Sequence, residues 1–167
     1  RVIEKGDTTS SILTSGGNQI DLIVLPPNQF GSLLQHFTGS KDHNIALREF
    51  ALKKHLSLNE KGIKDTKTQK FSKFEKEEDF YKAIGLAWIP PELRENTGEI
   101  ELAKNNKLPN LVKLKDIQGE FHVHSNFPIE PSHDLGKNTI EEMVKKAKEL
   151  EYSYLGLAEH NPSQAKH

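Results

Sequence analysis

Two groups of residues have types and spacings suited to holding a metal ion. The first is Asp21, set inside the otherwise apolar run Ile20-Asp21-Leu22-Ile23-Val24-Leu25. A carboxylate there is costly unless it is exposed, paired or bound to a cation. Carboxylates are natural hard ligands for magnesium. The second group is Phe121-His122-Val123-His124, with Asp134 further on and Glu159-His160 beyond it. In a strand, His122 and His124 lie on the same side because side chains alternate. Imidazole and carboxylate ligands without sulfur suit zinc, manganese or iron in a hydrolytic role. Taken singly, Asp21 also fits a solvent-facing pleat and each histidine also fits a structural or exposed position.

The elements that must position these residues follow from pattern and punctuation. A strand near Val2–Glu4, another at Ser11–Leu13 and a third over Gln19–Leu25, entered by the turn Ser15-Gly16-Gly17-Asn18, predict antiparallel β structure closed by Pro26-Pro27. Ser40 is a good N-cap, and Asp42 sits in the first turn, where the helix dipole favours an anion. Leu47, Phe50 and Ala51 supply that helix's apolar stripe until it fades near His55. Its opposite face carries Lys41, Asn44 and Arg48, either as a solvated polar face or as donors for base edges, sugars and phosphates.

A polar, lysine-rich stretch comes next, then a short helix over about Glu77–Ile84 that stops at Gly85. Trp88-Ile89-Pro90-Pro91 is a rigid apolar anchor, and about Asn96–Leu114 reads as a linker. Beyond it, Gly119–Ser125 alternates like a strand. Thr139-Ile140-Glu141-Glu142 is a capping box opening a helix along Ile140, Met143, Val144, Ala147 and Leu150. Tyr152–Ala158 is a further strand, completing the β-α-β unit of a parallel α/β domain. In such folds sites gather at the carboxyl ends of strands, where His124 and His160 fall.

Composition narrows the classes. The 167 residues contain no cysteine, so disulfides and thiolate metal sites are excluded. No apolar run approaches the roughly 20 residues that span a bilayer, and a cytoplasmic monomer without a membrane partner is expected. Net charge is −1 overall, yet Lys41–Lys76 holds ten Lys and Arg against five Asp and Glu, a local net of +5. Such a block is either a solvated face or a phosphate-facing surface whose binding weakens as salt rises. Neither end reads like a natural terminus, so an internal piece of a longer chain is expected.

The run Gln19-Ile20-Asp21-Leu22, followed by Gly31-Ser32-Leu33-Leu34-Gln35-His36-Phe37-Thr38-Gly39-Ser40-Lys41-Asp42-His43-Asn44-Ile45-Ala46-Leu47-Arg48, closely resembles the palm-to-thumb passage of bacterial family X DNA polymerases. The resemblance implies that Asp21 is the third carboxylate of a metal-binding palm triad, catalytic through magnesium or manganese. It implies that Phe37, Thr38 and Gly39 form the turn lying against the incoming nucleotide's sugar. Lys41 would lie near phosphate, while Asn44 and Arg48 probe the minor-groove side of the nascent pair and template. His36 stands where that family usually has an aromatic residue, and Glu92-Leu93-Arg94-Glu95 resembles the close of the bacterial thumb. The first two carboxylates of the triad would lie upstream of Arg1.

The histidine group resembles the opening of a polymerase and histidinol phosphatase (PHP) domain, which implies zinc or manganese held by His122, His124, Asp134 and His160. Two departures stand out: an expanded Phe127-Pro128-Ile129-Glu130-Pro131 link before Asp134, and Glu159 in place of an aspartate. The implied fold is α+β, with palm-end strands over 1–29, a thumb over 30–96, a linker over 97–115 and the first β-α-β unit of an α/β PHP barrel over 116–167. The implied function is gap-filling DNA synthesis on primer-template from deoxynucleoside triphosphates, fused to a 3′-5′ exonuclease-type phosphoesterase. Two other readings stay open: a histidinol-phosphatase-type enzyme behind an unrelated domain, and a non-catalytic DNA-binding piece.

Overall fold

A computed structural model describes residues 1–128 and 135–160. The chain divides into two compact units, Arg1–Pro109 and Asn110–His167.

The first unit opens with the antiparallel sheet β1 (Val2–Lys5), β2 (Thr9–Leu13) and β3 (Gln19–Ile23), in that spatial order. The register pairs Ser11 with Asp21 and Ser10 with Leu22. β3 ends two residues earlier than the apolar run predicts, because Leu25-Pro26-Pro27 leads into a short 3-10 turn over Pro27–Gln29. Helix α1 (Phe30–Phe37) follows at once. Gly31 is required there: its amide donates to the Phe74 carbonyl, and a Cβ would overlap the backbone of Lys76 and Glu77. Helix α2 (Lys41–Leu52) starts as its sequence dictates, with the Ser40 hydroxyl accepting the His43 amide proton.

The lysine-rich stretch, to which its composition assigns no element, is folded. It forms a second antiparallel sheet, β4 (Leu56–Asn59), β5 (Gly62–Asp65) and β6 (Phe71–Ser72). Asn59 and Asp65 close its two turns through side-chain bonds to following backbone amides, an arrangement that composition hides. Leu58 and Ile63 turn inward while Lys61, Lys64, Lys67, Lys70 and Lys73 stay exposed. Helix α3 (Glu77–Ala83) ends at Gly85, whose φ of 78° is the left-handed conformation that stops a helix.

Leu47, Ala51, Phe80, Tyr81, Ile84, Leu86 and Ile89 form the core of this unit together with Leu58, Ile63 and Ala103. Ala103 belongs to α4 (Glu99–Lys104), a helix inside the stretch expected as a linker. Apolar Ile100 and Ala103 pack against the core while Glu101 and Lys104 face water, so an Asn-, Lys- and Glu-rich composition conceals a seated helix.

The second unit carries β7 (Gly119–Val123), α5 (Ile140–Glu149) and β8 (Tyr154–Leu157). β7 and β8 pair in parallel, so the expected β-α-β unit is present with strands shorter than predicted. The capping box of α5 is complete: the Thr139 hydroxyl accepts the Glu142 amide proton, and the Glu142 carboxylate accepts that of Thr139. No helix among the described residues is long and apolar enough to cross a membrane.

Candidate functional site

In the first unit, α1 ends and α2 begins around the turn Phe37-Thr38-Gly39-Ser40. Gly39 has φ of 91°, and a Cβ there would collide with Arg94, so the turn needs both glycine's backbone freedom and its lack of a side chain. Phe37 is largely exposed and meets the His36 ring edge-on, centroids 4.8 Å apart. The Thr38 hydroxyl donates to the Leu34 carbonyl at 2.7 Å and accepts from the Arg94 Nη1.

One helical turn into α2, Asn44 is half-buried and its amide is engaged within the protein. Its Oδ1 accepts from Gln35 Nε2 at 2.9 Å, and its Nδ2 donates to the Ser40 carbonyl at 3.3 Å. Arg48 is exposed, one turn further along the same face, with Nη2 3.2 Å from His36 Nδ1. Burial, and then the adjacent guanidinium, hold the His36 pKa below its usual value, so the imidazole is neutral at pH 7 and accepts that bond. Lys41 is exposed at the start of the helix. The predicted polar face is therefore a linked set, and two members, Gln35 and His36, come from α1. Spacing within α2 alone could not find them.

Beneath this face lies a buried polar layer that the sequence patterns did not single out. His43 is fully buried, with Nδ1 2.5 Å from Glu99 Oε1 and Nε2 3.3 Å from the Tyr81 hydroxyl. Burial holds His43 below its ordinary pKa, outweighing the opposing pull of Glu99. Burial opposes ionisation of Glu99, but bonds from His43, Thr97 and Asn96 outweigh it and hold the carboxyl below its usual value. The pair is thus a neutral imidazole donating from Nδ1 to a carboxylate, and Tyr81, its pKa raised by burial, donates to Nε2.

Asp21 lies exposed on β3. Ser11, directly opposite on β2, donates to its Oδ1, and Gln19 Nε2 donates to the same oxygen at 2.9 Å. The Ser11 bond, then the Gln19 bond, hold the carboxyl below its ordinary pKa. The strand costs anticipated for a charge in an apolar run are avoided by exposure and by these two donors.

In the second unit, His122 on β7 and His124 just past its end have Nε2 atoms 3.1 Å apart, and the His160 ring stacks on His124 at 5.1 Å. Glu159 accepts the Ser125 amide proton at 2.8 Å, tying the end of β8 to the end of β7. Bonds from Ser125 and the nearby His124 and His160 keep this carboxyl below its usual pKa. Asp134 lies outside the described residues. Among the described residues no group of three or more His, Cys, Asp or Glu side chains has metal-holding geometry.

Residues 33–95 match the DNA polymerase beta thumb family. Over 162 residues the chain is 33% identical to the DNA polymerase/3′-5′ exonuclease PolX of Bacillus subtilis (strain 168), covering 96% of this chain and 27% of that protein. It is 40% identical over 77 residues to the human DNA-directed DNA/RNA polymerase mu, 46% of this chain and 16% of that protein. It is 32% identical over 74 residues to the DNA nucleotidylexotransferase of Xenopus laevis, 44% of this chain and 15% of that protein. The chain therefore spans about a quarter or less of each of these relatives. The turn, the polar helix behind it and the small lysine-studded sheet define a polymerase thumb. Residues 33–95 are thus a thumb of the DNA polymerase beta type, and the chain is similar to a bacterial family X DNA polymerase over nearly its whole length.

Proposed function

We propose that the first unit is the DNA-facing part of a gap-filling DNA polymerase that takes deoxynucleoside triphosphates onto a 3′-hydroxyl. The observation that carries this reading is the linked face of His36, Asn44 and Arg48 directly behind the Phe37–Ser40 turn. Arg48 is exposed, and both side chains exchange their internal partners for base-edge or sugar acceptors when DNA arrives. Phe37, Thr38 and Gly39 face the nucleotide's sugar, and Lys41 with Lys64 of β5 and the exposed lysines flanking the small sheet meets phosphate. Asp21 serves as a catalytic carboxylate: with Oδ1 taken by Ser11 and Gln19, its Oδ2 is left to hold magnesium or manganese. Divalent ions would supply the charge stabilisation of phosphoryl transfer.

We further propose that the second unit contributes His122, His124, Asp134 and His160 to a PHP-type phosphoesterase site using zinc or manganese. The parallel β-α-β unit with histidines at the strand ends supports this reading, as does the extension of the PolX likeness across both units. The domain limits we assign are palm-end strands over 1–29, thumb over 30–96 and PHP from 116. The protein is read as a cytoplasmic monomer.

The test is binding of the chain to a one-nucleotide-gapped duplex by fluorescence anisotropy across a salt series. Affinity should fall steeply with salt, and Arg48→Ala should weaken it by about tenfold, the cost of one good directional contact. Salt-independent binding, or binding indifferent to Arg48→Ala with the fold intact, would overturn the reading.

A further inference from the structure

Arg94 is fully buried on the 3-10 turn that follows Pro90, within the first unit. Its contacts converge on the Thr38-Gly39-Ser40 turn from three directions. Nη1 donates to the Thr38 hydroxyl, its Cβ occupies the space a side chain on Gly39 would need, and its carbonyl accepts the Ser40 amide proton at 2.8 Å. Nε donates to the Ile89 carbonyl at 2.9 Å, and Nη1 also meets Glu77 Oε1 at 2.8 Å. The other Glu77 oxygen accepts from Trp88 Nε1 at 3.1 Å, and the guanidinium lies 5.3 Å over the Tyr81 ring.

A buried ion pair is a poor source of stability, because desolvation consumes most of the attraction and apolar replacements of similar volume often serve as well. What this pair supplies is geometry. Nη1 is fixed against a hydroxyl that already donates to Leu34 while Nε holds Ile89 and the Arg94 carbonyl holds Ser40, so the turn is held both at the end of α1 and at the start of α2. Among the described residues Nη2 has no hydrogen-bond partner, and the guanidinium's bonds go to the turn, to Ile89 and to Glu77.

We propose that Arg94, with Glu77 as its counter-charge, is a positioning residue for the Phe37–Ser40 turn and, through it, for the Asn44–Arg48 face of α2. The inference rests on the polymerase reading of that face. Arg94 touches no DNA in this assignment and acts only by holding the turn.

The experiment uses the 167-residue chain and compares wild type with the apolar double replacement Glu77→Leu/Arg94→Met, with Arg94→Lys and with Thr38→Val. Amide exchange by NMR reports the turn at Ser40 and the remaining fold at Leu47 and Ala51, and anisotropy gives gapped-duplex affinity. In the double variant, Ser40 exchange should accelerate by about tenfold or more while Leu47 and Ala51 stay protected, since local opening is uncoupled from global unfolding. Gapped-duplex affinity should fall several-fold, with Thr38→Val shifting both readouts the same way by less. Arg94→Lys keeps the charge and loses the fork, so it should fail to restore the Ser40 protection. Unchanged Ser40 exchange in a folded variant overturns the proposal, and so does acceleration spread evenly over all three amides, which marks a general packing role. Should the double variant not fold, Thr38→Val and Arg94→Lys carry the same decision. Loss of Ser40 protection in a chain whose wild type does not bind gapped DNA would sink the polymerase reading and leave the turn assignment standing.

Discussion

Arg48 on α2 and His36 on α1 face each other with 3.2 Å between Nη2 and Nδ1, so the side chain assigned to the DNA is held, before DNA arrives, by an imidazole from the preceding helix. That imidazole is an acceptor only while neutral. Burial and the guanidinium both favour the neutral form, so protonation is delayed to below the ordinary histidine value. Because the folded pKa is the lower one, the stability from this contact is complete above pH 6.5 and is lost as pH falls through the depressed value. Proton NMR of the ring should give a His36 pKa below 6.5. Arg48→Ala should move it upward but not fully restore it, because burial remains. A pKa at or above 6.5 in the wild type would contradict the arrangement.

The buried layer under that face gives a second pH-linked expectation. His43 is also depressed, so its contribution is full above pH 6.5 and declines below it. The depressed Glu99 adds a further loss as pH falls below 4.5. Glu99→Ala removes the acceptor of a buried imidazole N–H and should destabilise the first unit by about 1–3 kcal/mol in urea unfolding. A cost near zero would mean that water reaches His43 in solution.

Gly39→Ala adds a methyl group at φ of 91°, against Arg94. Left-handed backbone at a non-glycine residue costs about 1–3 kcal/mol before any clash. Thermal unfolding should therefore show a clear drop, accompanied by weaker binding to gapped DNA. A neutral effect on both would show that the turn relaxes freely.

Asp21 should titrate below its ordinary value of 3.8, by carbon-detected NMR of the carboxyl, and Ser11→Ala should raise it more than Gln19→Ala does. The reverse order would show that the cross-strand bond is not the main support of this carboxylate. On the role proposed for Asp21, primer extension by the 167-residue chain with magnesium or manganese should yield no incorporation, because that one carboxylate cannot hold the metal pair of phosphoryl transfer.

Zinc or manganese should bind the second unit weakly by calorimetry, given that the described histidines approach one another without a metal-holding set. His122→Ala should reduce the binding further. Tight stoichiometric uptake would show that the site closes around the ion.

Elements whose signals are local are legible in the sequence. Ser40 and Thr139 cap helices, Gly85 stops one, and the turn at Ser15–Asn18 separates two strands, each through bonds within a few residues. The polar face of α2 was visible from spacing for the same reason. Signals that depend on distant partners were not. β4–β6 give little strand signal because few of their residues, Leu56, Leu58 and Ile63, pack on the core, and α4 looks like linker because its burial depends on Ala87 and the core. His43, Glu77, Arg94 and Glu99 resemble surface residues in sequence, and only the fold brings an imidazole, a guanidinium and two carboxylates into one buried layer.

The seat of α4 also bears on where this thumb can be cut. The family match ends at residue 95, four residues short of the carboxylate that His43 requires. An excised domain trimmed to that match would lose Glu99 and the Ala103 side of the core. One carried through Pro109 keeps both, and is the portable unit for grafting or for isolated spectroscopy.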